Sequence, residues 1–186
     1  MIRVGAGNAR GRILKAPKGE RPTLGRIKQP LFDILAPRLP DSCFLDLFAG
    51  SGAVGIEALS QGAAEAVFVE AKAAHARLIR ENLAVCGFGE RAQVICTRAE
   101  IAIGRLSRQG KRFHFAFLDP PYRAREDLAM ALKACAREDG IMLPDGIIIV
   151  QRSRREPPPP VPAGWERFDS RRIGESLLEF FRKEPS

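Results

Sequence analysis

The chain predicts an open α/β fold: a mostly parallel sheet with helices on both faces, an antiparallel pair at its C-terminal edge, and a small basic hairpin extension in front. Three observations carry this. Short apolar runs alternate with helical patterns after residue 40, a glycine-rich turn follows the first run, and the run Phe113 to Leu118 ends abruptly in Asp119-Pro120-Pro121-Tyr122. Strands separated by helices imply parallel pairing, right-handed crossovers and burial on both faces.

The first run is Phe44-Leu45-Asp46-Leu47, and the turn after it opens a helix from Ala53 to Gln61 that Gly62 closes. Val67 to Glu70 reads as the second strand. Lys72 to Cys86 is a second helix, with Ala74, Leu78, Leu83 and Val85 among good helix formers and Gly87 as its stop. Val94 to Cys96 is a third strand, followed by a helix through Ile101, Ile103 and Leu106. The fourth strand ends at Leu118, and Asp127 to Ala136 is helical. Ile147 to Val150 is a fifth, wholly apolar strand after a Pro144-Asp145-Gly146 turn. Pro157 to Pro160 reads as an extended spacer. Trp165 to Phe168 and Leu177 to Phe181 form the terminal antiparallel pair.

At 186 residues, 45% hydrophobic and 28% charged, the chain has the composition of one principal globular domain. No stretch approaches the ~18 apolar residues of a membrane span. The start, Met1-Ile2-Arg3-Val4-Gly5, lacks the apolar core of a signal peptide, so a cytoplasmic location without membrane partners is expected. Cys43, Cys86, Cys96 and Cys135 are widely spaced and form no cluster with His75 or His114; reduced, mostly buried thiols and no metal are expected. Oligomeric state is not legible, and a monomer is the default.

The charge is concentrated. Residues 1–40 hold nine basic side chains against Glu20 and Asp33, a net of +7 out of the total of +8. Ile2-Arg3-Val4 and Arg12-Ile13-Leu14 flank a centre containing Gly and Asn, as a short hairpin does. A folded basic surface suits a polyanion, and its phosphate contacts would weaken steeply with salt. The candidate contacts are Arg3, Arg10, Arg12, Lys15, Lys18, Arg21, Arg26 and Lys28. A basic segment serving only solubility is the alternative.

Two motifs carry chemistry. Gly50, Gly52 and Gly55 have the G-x-G-x-x-G spacing between a strand and a helix, and Glu70 ends the next strand, where an acidic residue takes ribose hydroxyls. Spacing alone leaves the cofactor open. A dinucleotide needs the helix start free for pyrophosphate, whereas Asp46, just ahead of the turn, suits the ammonium of S-adenosylmethionine. The second motif, Asp119 to Tyr122, offers acceptors on a stiff backbone beside an aromatic plate. That combination fits an exocyclic amine on a planar base, although Asp-Pro also serves plain turns. In a doubly wound sheet the strand ends at Asp46 and Asp119 are neighbours.

These motifs together resemble those of class I S-adenosylmethionine-dependent amino-methyltransferases. More closely, Gly11-Arg12-Ile13-Leu14-Lys15-Ala16-Pro17, Arg21-Pro22-Thr23, Leu31-Phe32-Asp33-Ile34-Leu35 and Arg172-Ile173-Gly174 resemble the ribosomal small-subunit methyltransferase D family. The resemblance implies a Rossmann-like methyltransferase domain over 41–186 and an RNA-docking extension over 1–40, a hairpin and a short helix. It implies methylation of a guanine N2 in 16S rRNA within small-subunit particles. Asp46, Phe48, Gly50, Gly52, Glu70, Ala99 and Asp119 would contact S-adenosylmethionine, with no metal, and Asp119, Pro120, Pro121 and Tyr122 would form the methylating site.

The chain departs from the family pattern in three places. Leu24-Gly25-Arg26-Ile27-Lys28-Gln29-Pro30 lacks two carboxylates, and Pro30 is expected to restart the helix. Arg98-Ala99 stands where Asp-Ala is usual, leaving a backbone contact near Ala99. Ile173 replaces an aromatic. Rival readings are adenine-N6 or cytosine-N4 methylation, a nicotinamide oxidoreductase, and a non-catalytic RNA-binding assembly factor.

Overall fold

The computed structural model describes residues 2–17, 24–121 and 124–185. Lys18, Arg21, Pro22, Thr23 and Tyr122, singled out above, lie outside that set. The sheet begins with β3 (Cys43–Leu47), β4 (Glu65–Glu70), β5 (Ala92–Cys96), β6 (Phe113–Leu118) and β7 (Met142–Ser153), all parallel. Two strands, β8 (Trp165–Ile173) and β9 (Ser176–Lys183), add antiparallel pairing, giving the order β5-β4-β3-β6-β7-β9-β8. Successive strands are added on one side of β3 and then, from β6, on the other, so β3 and β6 are neighbours with Leu47 opposite Leu118. This is the switch point at which open α/β sheets bind ligands.

Alternation along the strands splits the core in two. Phe44, Phe68, Phe115, Phe117, Ile149 and Phe180 face α1 (Leu24–Leu35), α2 (Ala53–Ser60) and α3 (Ala73–Cys86). Leu45, Val67, Ala116, Ile148 and Val150 face α4 (Ala99–Arg108) and α5 (Arg125–Cys135). The period of two along a strand produces this division.

The basic extension is folded onto the first of these cores. Its hairpin pairs β1 (Ile2–Arg3) with β2 (Ile13–Leu14), and Val4, Ala9, Leu14, Ile27, Leu31 and Leu35 are buried with the sheet's phenylalanines. Three buried polar side chains join it to α2 and α3. Glu57 accepts the amides of Gly5 (2.9 Å) and Ala6 (2.8 Å) and pairs with Lys28 Nζ (2.7 Å). Ser60 Oγ accepts Ala9 N–H (2.9 Å) and donates to the Ala6 carbonyl (2.5 Å). Asn82 accepts Lys15 N–H (2.8 Å) and donates to the carbonyls of Lys15 and Ser51, both at 2.9 Å. The close approach requires Gly7, whose φ is +78° and where a Cβ would fall 1.8 Å from the Ser60 carbonyl oxygen.

Three local expectations fail for tertiary reasons. Pro30 does not restart a helix but lies inside α1. A proline there removes a hydrogen bond and crowds the preceding turn, at ~3 kcal/mol; the buried stripe Ile27, Leu31 and Leu35 on both sides of it offsets that loss. Pro144-Asp145-Gly146 does not precede the fifth strand but bulges within β7, because Met142 already pairs with Phe113 before Ile147 pairs with Phe115. Arg38 clasps the bulge through Asp145 at 2.6 Å. Of the four thiols only Cys135 is buried, and Cys96 is exposed. Burial under the α5 face pushes the Cys135 thiol up to about 12.

Candidate active site

The loops at the carboxyl ends of β3, β4, β5 and β6 enclose a cavity of about 590 Å³. Its walls include Asp46, Phe48, Gly50, Glu70, Ala99 and Asp119, six of the seven cofactor-contact candidates. Gly52 does not line it. At φ +76° it is the N-cap of α2 and shapes the turn instead. Gly55 has a packing role, since a Cβ there would lie 2.3 Å from the Phe68 ring. The glycine spacing thus combines one wall residue, one left-handed corner and one helix–strand contact.

Asp46 is buried, and its Oδ2 accepts the Gly55 amide at 2.9 Å, tying the strand end to the first turn of α2. Glu70 accepts the amides of Gly50 (3.0 Å) and Lys72 (2.9 Å), holding the turn against β4. A carboxylate has about four acceptor positions, so two remain for a diol. Phe48 takes a left-handed φ of +62°, a conformation costing an L-residue on the order of 1–2 kcal/mol. Such strain persists where the surrounding structure over-determines it, as at a ligand wall.

Asp119 is half-buried one residue beyond β6, Pro120 is buried behind it and Pro121 is exposed at the rim. Arg98, standing where the family has an acid, pairs with Glu100 (2.8 Å) and approaches Asp127 (3.7 Å) along the same wall. Several wall residues were not legible as such in the sequence, four of them from outside the strand-end loops. Pro17 comes from the extension, Phe117 from the strand face, His75 from α3 and Asp127 from α5. Only a tertiary contact brings them there, although Pro17 closes a motif carrying the family resemblance.

The basic candidates separate. Arg3, Arg10, Arg12, Lys15 and Arg26 are exposed. Lys28 is not available to phosphate: only 6% exposed, it donates to Glu57 and to the Arg3 carbonyl, both at 2.7 Å. A buried cation is held by a partner charge, which the sequence total could not reveal.

The sheet order, the glycine turn beneath Asp46 and the acid at the end of β4 define a class I S-adenosylmethionine-dependent methyltransferase. The residues present fit that cofactor: a cavity with glycine backbone at Gly50, a carboxylate with spare acceptors at Glu70, and Asp119 on the opposite wall. A family model described as "Conserved hypothetical protein 95" matches residues 2–182. "Ribosomal RNA small subunit methyltransferase D" of Escherichia coli K12 is 34% identical over 185 residues, covering 98% of this chain and 90% of that one. The protein of the same name from Haemophilus influenzae is 30% identical, covering 93% and 89%. Among solved structures, "Putative methyltransferase yhhF" from Escherichia coli superposes with a TM-score of 0.84 at 31% identity, covering 100% and 99%. A hypothetical protein of Thermus thermophilus gives 0.79 at 34%, covering 97% and 98%. The chain belongs to the ribosomal RNA small subunit methyltransferase D family.

Proposed function

We propose that this protein methylates the exocyclic N2 amine of a guanine in 16S rRNA, within the small ribosomal subunit. The observation that carries the reading is the meeting of Asp119 and Pro121 with Asp46, Gly50 and Glu70 around one cavity. S-adenosylmethionine supplies an electrophilic methyl group when bound there. Asp46 and Glu70 hold its charged and hydroxylated parts, with Phe48, Gly50 and the backbone near Ala99 completing the walls.

The guanine amine is a poor nucleophile because its lone pair is delocalised into the ring. The Asp119 carboxylate and the Pro120 carbonyl accept its N–H bonds and localise that lone pair, while Tyr122 stacks on the base and holds it in line. The amine proton becomes acidic as the N–C bond forms and leaves through the acceptor side. The base must be unstacked to enter, which costs a few kcal/mol and is least in a loop. Residues 1–40 dock the RNA through Arg3, Arg10, Arg12, Lys15, Lys18, Arg21 and Arg26, and residues 41–186 carry out transfer.

Incubation of small-subunit particles with tritiated cofactor, followed by nucleoside analysis, tests the reading. N2-methylguanosine is expected; label in N6-methyladenosine or N4-methylcytidine alone would assign a different amine. Mass mapping of rRNA from cells with and without the protein then locates the nucleotide.

A further inference from the structure

A second cavity, of about 620 Å³, lies beside the first between α5, the end of β7 and Pro157–Pro160. Pro121 and Asp127 line both, so the two meet at the methylating motif. Gln151, near the end of β7, lines the second cavity. The last parallel pair between β6 and β7 is Leu118 with Val150. Asp119 and Gln151 are therefore the next residues on adjacent strands, and alternation puts them on the face of Phe117 and Ile149.

Gln151 is 1% exposed, and among the described residues neither its amide oxygen nor its amide nitrogen has a hydrogen-bond partner. Its neighbour across the antiparallel pairing with β9 is Leu178, which offers none. Nearly all buried side-chain polar atoms are bonded, so an unanswered amide one strand from Asp119 and on the same face of the sheet marks a place where a partner arrives.

We propose that Gln151 is a specificity-determining residue that reads the target base next to the amine held at Asp119. The inference rests on the guanine-N2 reading. Going round the guanine edge from N2, the next group is the N1–H donor and then the O6 acceptor. A glutamine amide answers both, its oxygen accepting N1–H and its nitrogen donating to O6. An adenine held by N6 presents only the N1 acceptor beside it, which leaves the amide oxygen unanswered. A cytosine held by N4 presents N3 and then O2, two acceptors, which sets the amide oxygen against a like group. Guanine alone uses both ends.

The test compares wild type with Gln151→Met, which keeps length and volume, on small-subunit RNA carrying guanine or 2-aminopurine at the mapped nucleotide. 2-Aminopurine keeps the N2 amine but lacks N1–H and O6. Wild type is expected to favour guanine in kcat/KM by roughly ten- to a hundred-fold, the discrimination of one bidentate contact. Gln151→Met should lose most of that preference through a slower guanine reaction, with S-adenosylhomocysteine affinity within twofold. Its melting temperature should match or exceed wild type, because an unanswered amide is removed. Retention of the preference, or a melting temperature lowered as by loss of an internal partner, overturns the inference. Formation of N2-methylguanosine with the preference intact in Gln151→Met defeats this inference alone; a wild-type product of N6-methyladenosine defeats the guanine reading as well.

Discussion

The seam between the basic extension and α2–α3 and the carboxyl edge between β6 and β7 treat buried polar groups in opposite ways. At the seam Glu57, Ser60 and Asn82 are all answered by backbone amides, carbonyls or the Lys28 ammonium within 2.9 Å. At the edge Gln151 is buried without an answer among the described residues, and nearby Phe48 holds a strained backbone. A satisfied network rigidifies, whereas an unsatisfied group raises the free energy of the ligand-free state until a ligand completes it. The seam contributes stability and the edge keeps capacity for binding.

The largest effect that sharpens this contrast is Glu57→Leu. It strands the buried Lys28 ammonium and leaves the part-buried Gly5 and Ala6 amides without their acceptor, and should lower stability by about 3–5 kcal/mol. Thermal unfolding should show a melting temperature lower by on the order of 10 °C. Asp119→Ala should do the reverse, leaving the melting temperature near wild type while cutting single-turnover transfer by roughly 10²–10³-fold. If both variants lose stability equally, the contrast is broken.

Asn82→Leu should cost about 2–3 kcal/mol through three lost hydrogen bonds. Because Asn82 ties Lys15 to Ser51 while Pro17 walls the cavity proposed for the cofactor, calorimetry should also show S-adenosylhomocysteine binding weakened several-fold. Arg12→Ala, at an exposed site, should leave stability within about 0.5 kcal/mol. It should lower the slope of log affinity against log salt for RNA by about 1.

The smallest effect lies in pH dependence. Burial alone would push the Glu179 carboxyl up, but hydrogen bonds and charge from Arg152 and Arg167 outweigh it and hold it below its ordinary value of 4.5. A depressed carboxylate contributes stability that is present above its unfolded value and is lost as pH falls through the folded one. Acid titration of unfolding should therefore steepen below about pH 4.5, and Glu179→Gln should flatten that limb.

Most strands were legible because a strand buried on both faces reads as a near-continuous apolar run, as at Ile147–Val150 and, interrupted by His114, at Phe113–Leu118. Helix ends were legible where glycine stops them, as at Gly87, whose φ is +73°. Other features needed partners distant in the chain. Nothing local marks Lys28 as an internal cation, since its counter-charge is 29 residues away. Pro30 looks like a helix break until the core beneath Ile27 and Leu31 is seen. The Pro144-Asp145-Gly146 turn signal is real, but pairing at Met142 draws it into β7 as a bulge.

The order of residues along the chain was enough to specify the alternation of strands and helices, the glycine-rich turn between Asp46 and Gly55, the position of Asp119 and the basic character of the first 40 residues. Each depends on residue type at short spacing, where backbone sterics and hydrophobic periodicity act locally. Folding was needed to establish that the extension shares the sheet's core, that Lys28 faces inward, that Pro17 walls the cavity beside Asp46 and Asp119, and that Gln151 sits one strand from Asp119. Those outcomes depend on which surfaces the β3–β6 switch point brings together, and the desolvation and pairing that settle them exist only once the chain is folded.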